Sequence, residues 1–502
     1  MRRAAWGRIH RATGVAVAAL LMLECVSGIV LNHREAVAGV GVSRGWLPGR
    51  YGFARWNMGL LRQTARWRDS VLICGAARIF RADTLAKHFE EFNAGIPRQA
   101  DLRAMRGVVV SPRGDAFTAS RYSLYRFDET TGQWRATSLP LEAGERLTDI
   151  TMAGDTLVAV SRSRFFTSTP PYELFTPIWP GHSADYDGSE TLFRTVWKLH
   201  SGQLFGPWGQ VVADGIGGLM ILLCASGLAL LALRKMARGK TWMPRRYGET
   251  LAIHDGIGRR AWLLMLVAAA TGWALRPPLM IPLALCRTAP PPRTALDNPN
   301  PWADKIRMAR HDKAADRWLI STSAGFFSAD TLGGEMRKMA QAPPVSVMGL
   351  NVFEKDGDGT WLCGSFSGLF RWDASEGLVT DFFTGDTVAA TSQGPPFGTR
   401  AVSGYSSDFA TGPFAAEYEA GTDFAPQPVR LRDTPMPLWA LALEVHSGRI
   451  FFGNAATYFY IFVFGGAVFT ALLSGWKVRR KSKKRSGQGG TEESVGLGTK
   501  SL

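Results

Sequence analysis

The N-terminal region reads RIHRATGVAVAALLMLECVSGIVL from residue 8 to residue 31. Its apolar part, Thr13–Leu31, is long enough to cross about 30 Å of hydrocarbon as a helix. It lacks a small-residue cleavage site, so we expect it to be retained rather than removed as a signal peptide. Three further apolar stretches follow at Val211–Leu233, Ala261–Leu275 and Ala455–Trp476. The third is short, but a helix that starts near His254 would have full length, so the sequence predicts four transmembrane helices.

The charge distribution predicts the orientation of these helices. Lys and Arg outnumber Asp and Glu by 58 to 42, a formal charge of +16. The entire surplus lies in residues 1–11, 234–260 and 477–502, beside the apolar stretches. Basic flanks mark the cytoplasmic side, so both termini are expected in the cytoplasm and two long loops outside. Charge placed in this way predicts contact with anionic membrane lipids and argues against binding of nucleic acid.

The two halves of the chain repeat each other at an offset close to 244 residues. The matching motifs are Ile9-His10 with Ile253-His254, Ser27-Gly28 with Thr271-Gly272, His200-Ser201-Gly202 with His446-Ser447-Gly448, and Ser226-Gly227 with Ser474-Gly475. A helix, an outer segment and a second helix therefore occur twice in the same orientation. Such repeats imply an approximate two-fold axis along the membrane normal.

Each outer loop contains a repeated pattern of alternating apolar residues followed by a polar turn. Asp83 and Asp128 are 45 residues apart, Asp330 and Asp373 are 43 apart, and a weaker copy lies at Thr156–Phe166. Four-stranded propeller blades have about 40–45 residues, so we expect β-rich, propeller-like outer segments. One propeller completed by both loops fits this pattern, and a β-sandwich is the alternative.

The predicted fold class is a membrane protein with α and β structure, in which four transmembrane helices in two repeated halves carry two large β-rich periplasmic segments. The predicted segments are a first transmembrane helix (1–33), a first periplasmic β-rich domain (34–198), a second transmembrane helix (199–235), a basic cytoplasmic linker (236–253), a third transmembrane helix (254–282), a second periplasmic β-rich domain (283–444), a fourth transmembrane helix (445–478) and a basic disordered cytoplasmic tail (479–502).

Five of the eight histidines lie at the ends of the predicted membrane helices. By repeat symmetry, His10 pairs with His254 on the inner side and His200 with His446 on the outer side. Two facing imidazoles on different helices can ligate the iron of a b-type haem, so we predict one or two haem b groups. His33 has no counterpart in the repeat and could replace one member of the outer pair. The alternative is a structural role in capping helices or contacting lipid headgroups.

Two further ionisable residues lie in or near the predicted spans. Glu24 is inside the first span, where such groups are costly and usually functional, so it could relay protons or contact a cofactor propionate or a quinol. The alternative is a protonated carboxyl packed between helices. Arg276 lies near the outer interface and could pair with a haem propionate. The catalytic residues stay unassigned, since the sequence contains no P-loop and no HExxH zinc motif.

The segment Arg8–Gly14, followed by an apolar span that ends in Ser27–Leu31, resembles the PepSY-associated transmembrane helix family. His446–Phe451 before the last span resembles it as well. The resemblance covers the four spans, about a quarter of the chain. It implies a bacterial inner-membrane protein linked to iron uptake, such as a haem-containing ferric-siderophore reductase, in which the five helix-end histidines are the candidate ligands. The outer loops depart from the family because they lack a recognisable PepSY domain, which leaves the substrate open.

The leading functional hypothesis is a b-type haem protein that passes electrons across the inner membrane to a periplasmic acceptor. The acceptor would be a ferric chelate or a partner protein, and the activity that of a membrane oxidoreductase. The alternative is a non-redox, membrane-anchored periplasmic binding or sensing module with a propeller-like domain. A transporter subunit is a third reading, although few polar residues line the spans. A homodimer is compatible with each of them.

Overall fold

The computed structural model describes residues 3–236, 243–346, 348–390, 394–395, 398–452 and 454–478. Residues 237–242 of the predicted basic linker and the predicted tail (479–502) lie outside the described residues. The helices of the described part are α1 (Arg3–Asn32), α2 (Leu192–His200), α3 (Gly206–Met236), α4 (Met243–Arg260), α5 (Trp262–Ala274), α6 (Met280–Leu285), α7 (Leu438–His446) and α8 (Asn454–Val478).

Three helices in the described residues are long and apolar enough to cross a membrane. They are Ala4–Asn32, Gln203–Met236 and Ala456–Val478. The predicted third helix over 254–282 is not continuous, because α4 and α5 meet at a bend at Ala261 and α5 has only 13 residues. Proline cannot continue a helix, which explains why α5 ends shortly before Pro277-Pro278.

The chain folds into two compact units. The first unit consists of three segments, namely Met1–Met22, Gly218–Ala270 and Val463–Leu502. Its described residues are helical. The second consists of Leu23–Gly217 and Thr271–Phe462, and it contains all the described strands.

The strands form small antiparallel sheets. The strands are β1 (Gly41–Val42), β2 (Gln63–Trp67), β3 (Ser70–Cys74), β4 (Ile79–Asp83), β5 (Phe89–Glu91), β6 (Met105–Val110), β7 (Ala116–Ser120), β8 (Leu124–Asp128), β9 (Gln133–Thr137), β10 (Leu147–Ala153), β11 (Thr156–Ser161), β12 (Phe165–Ser168), β13 (Thr176–Ile178), β14 (Glu190–Thr191), β15 (Arg287–Thr288), β16 (Ile306–Asp312), β17 (Arg317–Thr322), β18 (Gly325–Ala329), β19 (Arg337–Lys338), β20 (Leu350–Lys355), β21 (Trp361–Ser365), β22 (Gly368–Trp372), β23 (Val379–Asp381), β24 (Val402–Ser406), β25 (Phe414–Glu417) and β26 (Met436–Pro437).

Five of the sheets have four strands in sequence order, and they are β2 to β5, β6 to β9, β10 to β13, β16 to β19 and β20 to β23. A two-stranded sheet, β24 and β25, follows them. The first strands of successive sheets contact each other: β2 contacts β6, β6 contacts β10, β10 contacts β16, β16 contacts β20, β20 contacts β24, and β24 contacts β2. The prediction of β-rich outer segments is confirmed, and the weak copy at Thr156–Phe166 belongs to a full sheet, β10 to β13.

The two loops that the sequence predicts to lie outside, called the outer loops below, share one hydrophobic core. Phe165 from the first loop packs in the same buried cluster as Trp302 and Phe327 from the second loop. Burying one large apolar side chain stabilises a fold by about 1.5–3 kcal/mol, so this cluster joins the loops firmly. Two short pairings add to it: β1 after α1 pairs with β26 before α7, and β14 before α2 pairs with β15 after α6.

Candidate functional site

His10 of α1 and His254 of α4 face each other. Their ring centroids are 6.1 Å apart and their planes are inclined by 56°. His10 Nδ1 donates a hydrogen bond of 3.0 Å to the carbonyl oxygen of Ala471 in α8. His254 Nδ1 is hydrogen-bonded to Ser226 Oγ of α3 at 2.9 Å. Four helices of the first unit therefore hold this inner histidine pair.

His200 and His446 form a second pair with nearly the same geometry. Their centroids are 6.2 Å apart and their planes are inclined by 41°. His446 Nδ1 donates a hydrogen bond of 2.9 Å to the carbonyl oxygen of Glu24 and lies 3.3 Å from Ser27 Oγ. His200 Nδ1 is hydrogen-bonded to Thr271 Oγ1 at 3.1 Å. The structure thus brings together both histidine pairs that the repeat suggested.

The repeated His-Ser-Gly motif explains the position of the outer pair. His200 and His446 are the last residues of α2 and α7, and the glycines that follow, Gly202 and Gly448, have φ angles of 77° and 73°. Glycine adopts this left-handed conformation without strain and commonly ends a helix in this way. The motif therefore places an imidazole on the last turn of a helix and lets the chain turn towards the next one.

Each of the four imidazoles packs against a glycine of another helix. A Cβ atom added to that glycine would lie 3.0 Å from His10 Cε1 at Gly475, 3.3 Å from His254 Cε1 at Gly227, 2.8 Å from His200 Cε1 at Gly272 and 3.2 Å from His446 Cε1 at Gly28. A carbon–carbon contact is normally about 3.5–4.0 Å, so an alanine would push against each ring. Each histidine ring therefore packs on the glycine of one Ser-Gly or Thr-Gly motif of the repeat. We call these four residues, Gly28, Gly227, Gly272 and Gly475, the glycine seats.

The spacing of each pair suits an iron atom between the two rings. Two metal–nitrogen bonds of about 2.0–2.1 Å plus half the width of each ring add up to about 6 Å. The carbonyl oxygens that His10 and His446 contact can only accept a hydrogen bond, so Nδ1 carries the proton and Nε2 is the nitrogen suited to ligation.

The structure places His33 away from these seats. His33 Nε2 lies 2.7 Å from Asp214 Oδ2, and the neighbouring Asn32 donates a 2.9 Å hydrogen bond to Asp214 Oδ1. This polar group connects the end of α1 to α3. Within the described part of the chain, the partner of His200 is His446, so the geometry gives His33 no place in the outer pair. The repeat gave no signal for the pairing of His33 with Asp214.

The two other predicted site residues lie near the outer pair. The backbone of Glu24 binds His446, and its carboxyl group is within Coulombic range of Arg276. Arg276 in turn interacts electrostatically with Arg449 and Glu444, which form an ion pair of 2.6 Å. The sequence did not single out Glu444, and it marked Arg449 only as part of the motif His446–Phe451, because neither residue alone carries a signal for this ion pair.

A family model described as the PepSY-associated TM region matches residues 1–234 and again residues 187–479. No curated relative matches the sequence.

The chain is similar to solved structures at low identity. One is an extracellular domain assigned to a hybrid two-component system of B. thetaiotaomicron (8% identity, 66% of this chain and 34% of that chain covered, TM-score 0.26). A second such domain from the same organism has 10% identity, 68% and 32% coverage and a TM-score of 0.30. A gluconolactonase of Xanthomonas campestris has 10% identity, 72% and 86% coverage and a TM-score of 0.32. The chain spans about a third of the two extracellular domains, and TM-scores this low support no functional argument.

Proposed function

The chain belongs to the PepSY-associated TM family, and on that premise we propose that it is a bacterial inner-membrane b-type haem protein that passes electrons across the membrane. A periplasmic acceptor such as a ferric chelate would receive them. The observation that carries this proposal is the pair of facing imidazoles, which occurs twice with the same spacing of about 6 Å. His10 with His254 and His200 with His446 would each ligate one iron. Haem b, when bound, supplies a carrier for one electron.

The protein's own residues orient these imidazoles before any ligand binds. A hydrogen bond from Nδ1 to a carbonyl oxygen fixes the tautomer and makes Nε2 a more basic ligand. The carbonyl oxygens of Ala471 and Glu24 do this for His10 and His446. The glycine seats limit how far each ring can move. Such preorganisation favours a ligand set for a stable redox centre over four histidines that merely cap helices.

The same proposal includes the finer topology. The bent pair α4 and α5 would together form a fourth crossing, and the basic segments would lie in the cytoplasm with both termini. The six sheets whose first strands contact each other in cyclic order would form one propeller-like domain in the periplasm. The membrane helices would contact lipids, and the outer domain would receive the acceptor or a partner protein.

A difference spectrum of the detergent-purified protein tests the proposed function. The dithionite-reduced minus oxidised spectrum should contain b-type Soret and α bands after expression with sufficient haem. His254→Ala should remove the inner haem, about half of the total, because one imidazole cannot complete the pair. His88→Ala, an exposed histidine of the outer domain, is the matched control and should retain all of it.

Two results would contradict the proposal. A haem-free protein under these conditions would exclude the redox function. A full haem content in His254→Ala, with the outer domain still folded by circular dichroism, would exclude the proposed pairing.

A further inference from the structure

Several arginines of the outer domain project from equivalent positions of neighbouring sheets. The register of β6 shifts around Arg106 and the register of β16 shifts around Arg307, so each arginine is a bulge residue. Arg62 directly precedes β2 at the same point of its sheet. A bulge redirects a side chain, and the first strands of these sheets contact their neighbours. Arg62 and Arg106 are therefore brought close enough for their charges to interact, whereas Arg307 interacts with Arg162 and Arg194 instead.

Further arginines extend this group. Arg121 lies in the turn between β7 and β8, Arg146 precedes β10, and Arg34 follows α1. Burial, followed by the charges of Arg121, Arg62 and Arg34, lowers the pKa of Arg106 well below its usual range. Burial, followed by the charges of Arg34 and Arg146, lowers the pKa of Arg121 to about 9. We call Arg34, Arg62, Arg106, Arg121 and Arg146 the arginine cluster.

The positive charges of the arginine cluster exceed the carboxylates that bind them. Asp101 forms a two-point ion pair with Arg34, with distances of 2.6 and 2.8 Å. The Nε atoms of Arg62, Arg121 and Arg146 are buried and have no hydrogen-bond partner among the described residues. Burying an uncompensated charge is costly, so an arrangement of this kind calls for an anion.

The arginine cluster also contacts the helix that carries His446. The Arg34 guanidinium stacks on the ring of Trp439 in α7, 3.7 Å from its centroid, and α7 ends at His446. The positive charge also extends towards α2, because the charges of Arg146 and of Arg194 in α2 both oppose that of Arg162. Arg194 lies six residues before His200, or about 9 Å along the helix axis.

We propose that the arginine cluster is the docking site for an anionic ferric chelate with several carboxylate groups. The identification of this ligand as the electron acceptor rests on the proposed function, whereas the binding itself does not. A guanidinium binds a carboxylate through two parallel hydrogen bonds, and several guanidiniums in one place select a ligand with several carboxylates. The contact of Arg34 with Trp439 places such a ligand beside α7, the helix that ends at His446. Haem propionates are carboxylates as well. The experiment therefore distinguishes a ferric chelate from haem as the source of the bound carboxylates.

Binding of gallium(III) citrate, a redox-inert analogue of ferric citrate, to the haem-loaded protein tests the proposal. Calorimetry should detect binding that weakens as the salt concentration rises. Arg106→Gln and Arg121→Gln should each weaken it about tenfold, because each removes a charged hydrogen-bond donor. Both variants should also have a higher Tm without ligand, since an uncompensated charge is removed. Arg135→Gln, an exposed arginine paired with Asp128, changes the net charge equally and should bind as the wild type does.

Each remaining outcome overturns a defined part of the proposal. Unchanged binding in both arginine variants, or no binding by the wild type, overturns the docking site. Loss of haem in Arg106→Gln, with no gallium citrate binding by the wild type, would assign the arginine cluster to propionates. Arginine-dependent binding by a protein that takes up no haem would keep the docking site and overturn the proposed function.

Discussion

Among the four glycine seats, replacing Gly272 by alanine should displace the neighbouring histidine ring the most. The new Cβ would lie 2.8 Å from His200 Cε1 and 3.3 Å from its Nε2. Because a normal contact is about 3.5–4.0 Å, the ring would have to move by about 0.7–1.2 Å. At Gly227, where the distance to His254 is 3.3 Å, the corresponding displacement is about 0.2–0.7 Å. A shift near 1 Å is about half the length of a metal–nitrogen bond, whereas the smaller shift can be absorbed.

The haem content and the midpoint potentials measure this effect. Gly272→Ala should lose the outer haem or shift its potential, while the inner haem keeps its wild-type potential. Gly227→Ala should retain both haems. Across the four seats, the effect should decrease in the order Gly272, Gly475, Gly28, Gly227, which follows the distances of 2.8, 3.0, 3.2 and 3.3 Å.

Gly215→Ala is the matched control, since Gly215 is also a glycine inside a helix but an added Cβ would meet no atom of the described residues within 4 Å. Alanine favours the helix more than glycine does, so this variant should be neutral or slightly stabilised. Equal haem loss in Gly215→Ala and Gly272→Ala would mean that any change in helix packing affects the haems. A reversed order among the seats would refute the steric reasoning.

Two further predictions concern residues outside the seats. His33→Ala should keep the full haem-to-protein ratio because His33 binds Asp214, and a loss of half the haem would place His33 in the ligand set after all. Burial raises the pKa of Glu354 to about 8, although the charge of Arg310 opposes this. Between pH 4.5 and 8 this carboxyl is then protonated in the folded outer domain and ionised in the unfolded chain, so stability falls as the pH rises, by at most about 1.4 kcal/mol per pH unit. Glu354→Gln should therefore gain in Tm relative to the wild type from about pH 5 to about pH 8, and parallel Tm curves would contradict the shifted pKa.

The sequence predicted the histidine pairs because the repeat identifies equivalent residues. It did not predict the seats, although it identifies Ser27-Gly28 and Thr271-Gly272 as matching motifs. The internal repeat shows which residues of the two halves correspond to each other. Contact between helices depends in addition on their packing angle and on the rotation of each helix about its axis. The bend at Ala261 was missed for a related reason, since an apolar composition does not reveal where a helix is interrupted.

The outer domain was predicted only in part because its signals are weak or scattered. Alternating apolar residues indicated β-structure, but the sheet β10 to β13 left only a faint trace in the sequence. The arginine cluster gave no signal at all. Its members are spread from Arg34 to Arg146 and come from one strand and several connections, and the outer segments are electrically balanced as a whole. A local excess of charge arises only when the fold brings these segments together.

Each imidazole packs against a glycine from the opposite half of the chain. That half also supplies the histidine with which the imidazole is paired. His10 and His200 of the first half lie against Gly475 and Gly272 of the second, and His254 and His446 of the second half lie against Gly227 and Gly28 of the first. Neither half alone can therefore hold a correctly oriented histidine, and truncation to one repeat should abolish both pairs. A single chain also completes both pairs, so a homodimer, if it forms, contributes no residue that these pairs require. The duplication thus supplies within one molecule the symmetry that two copies would otherwise have to provide.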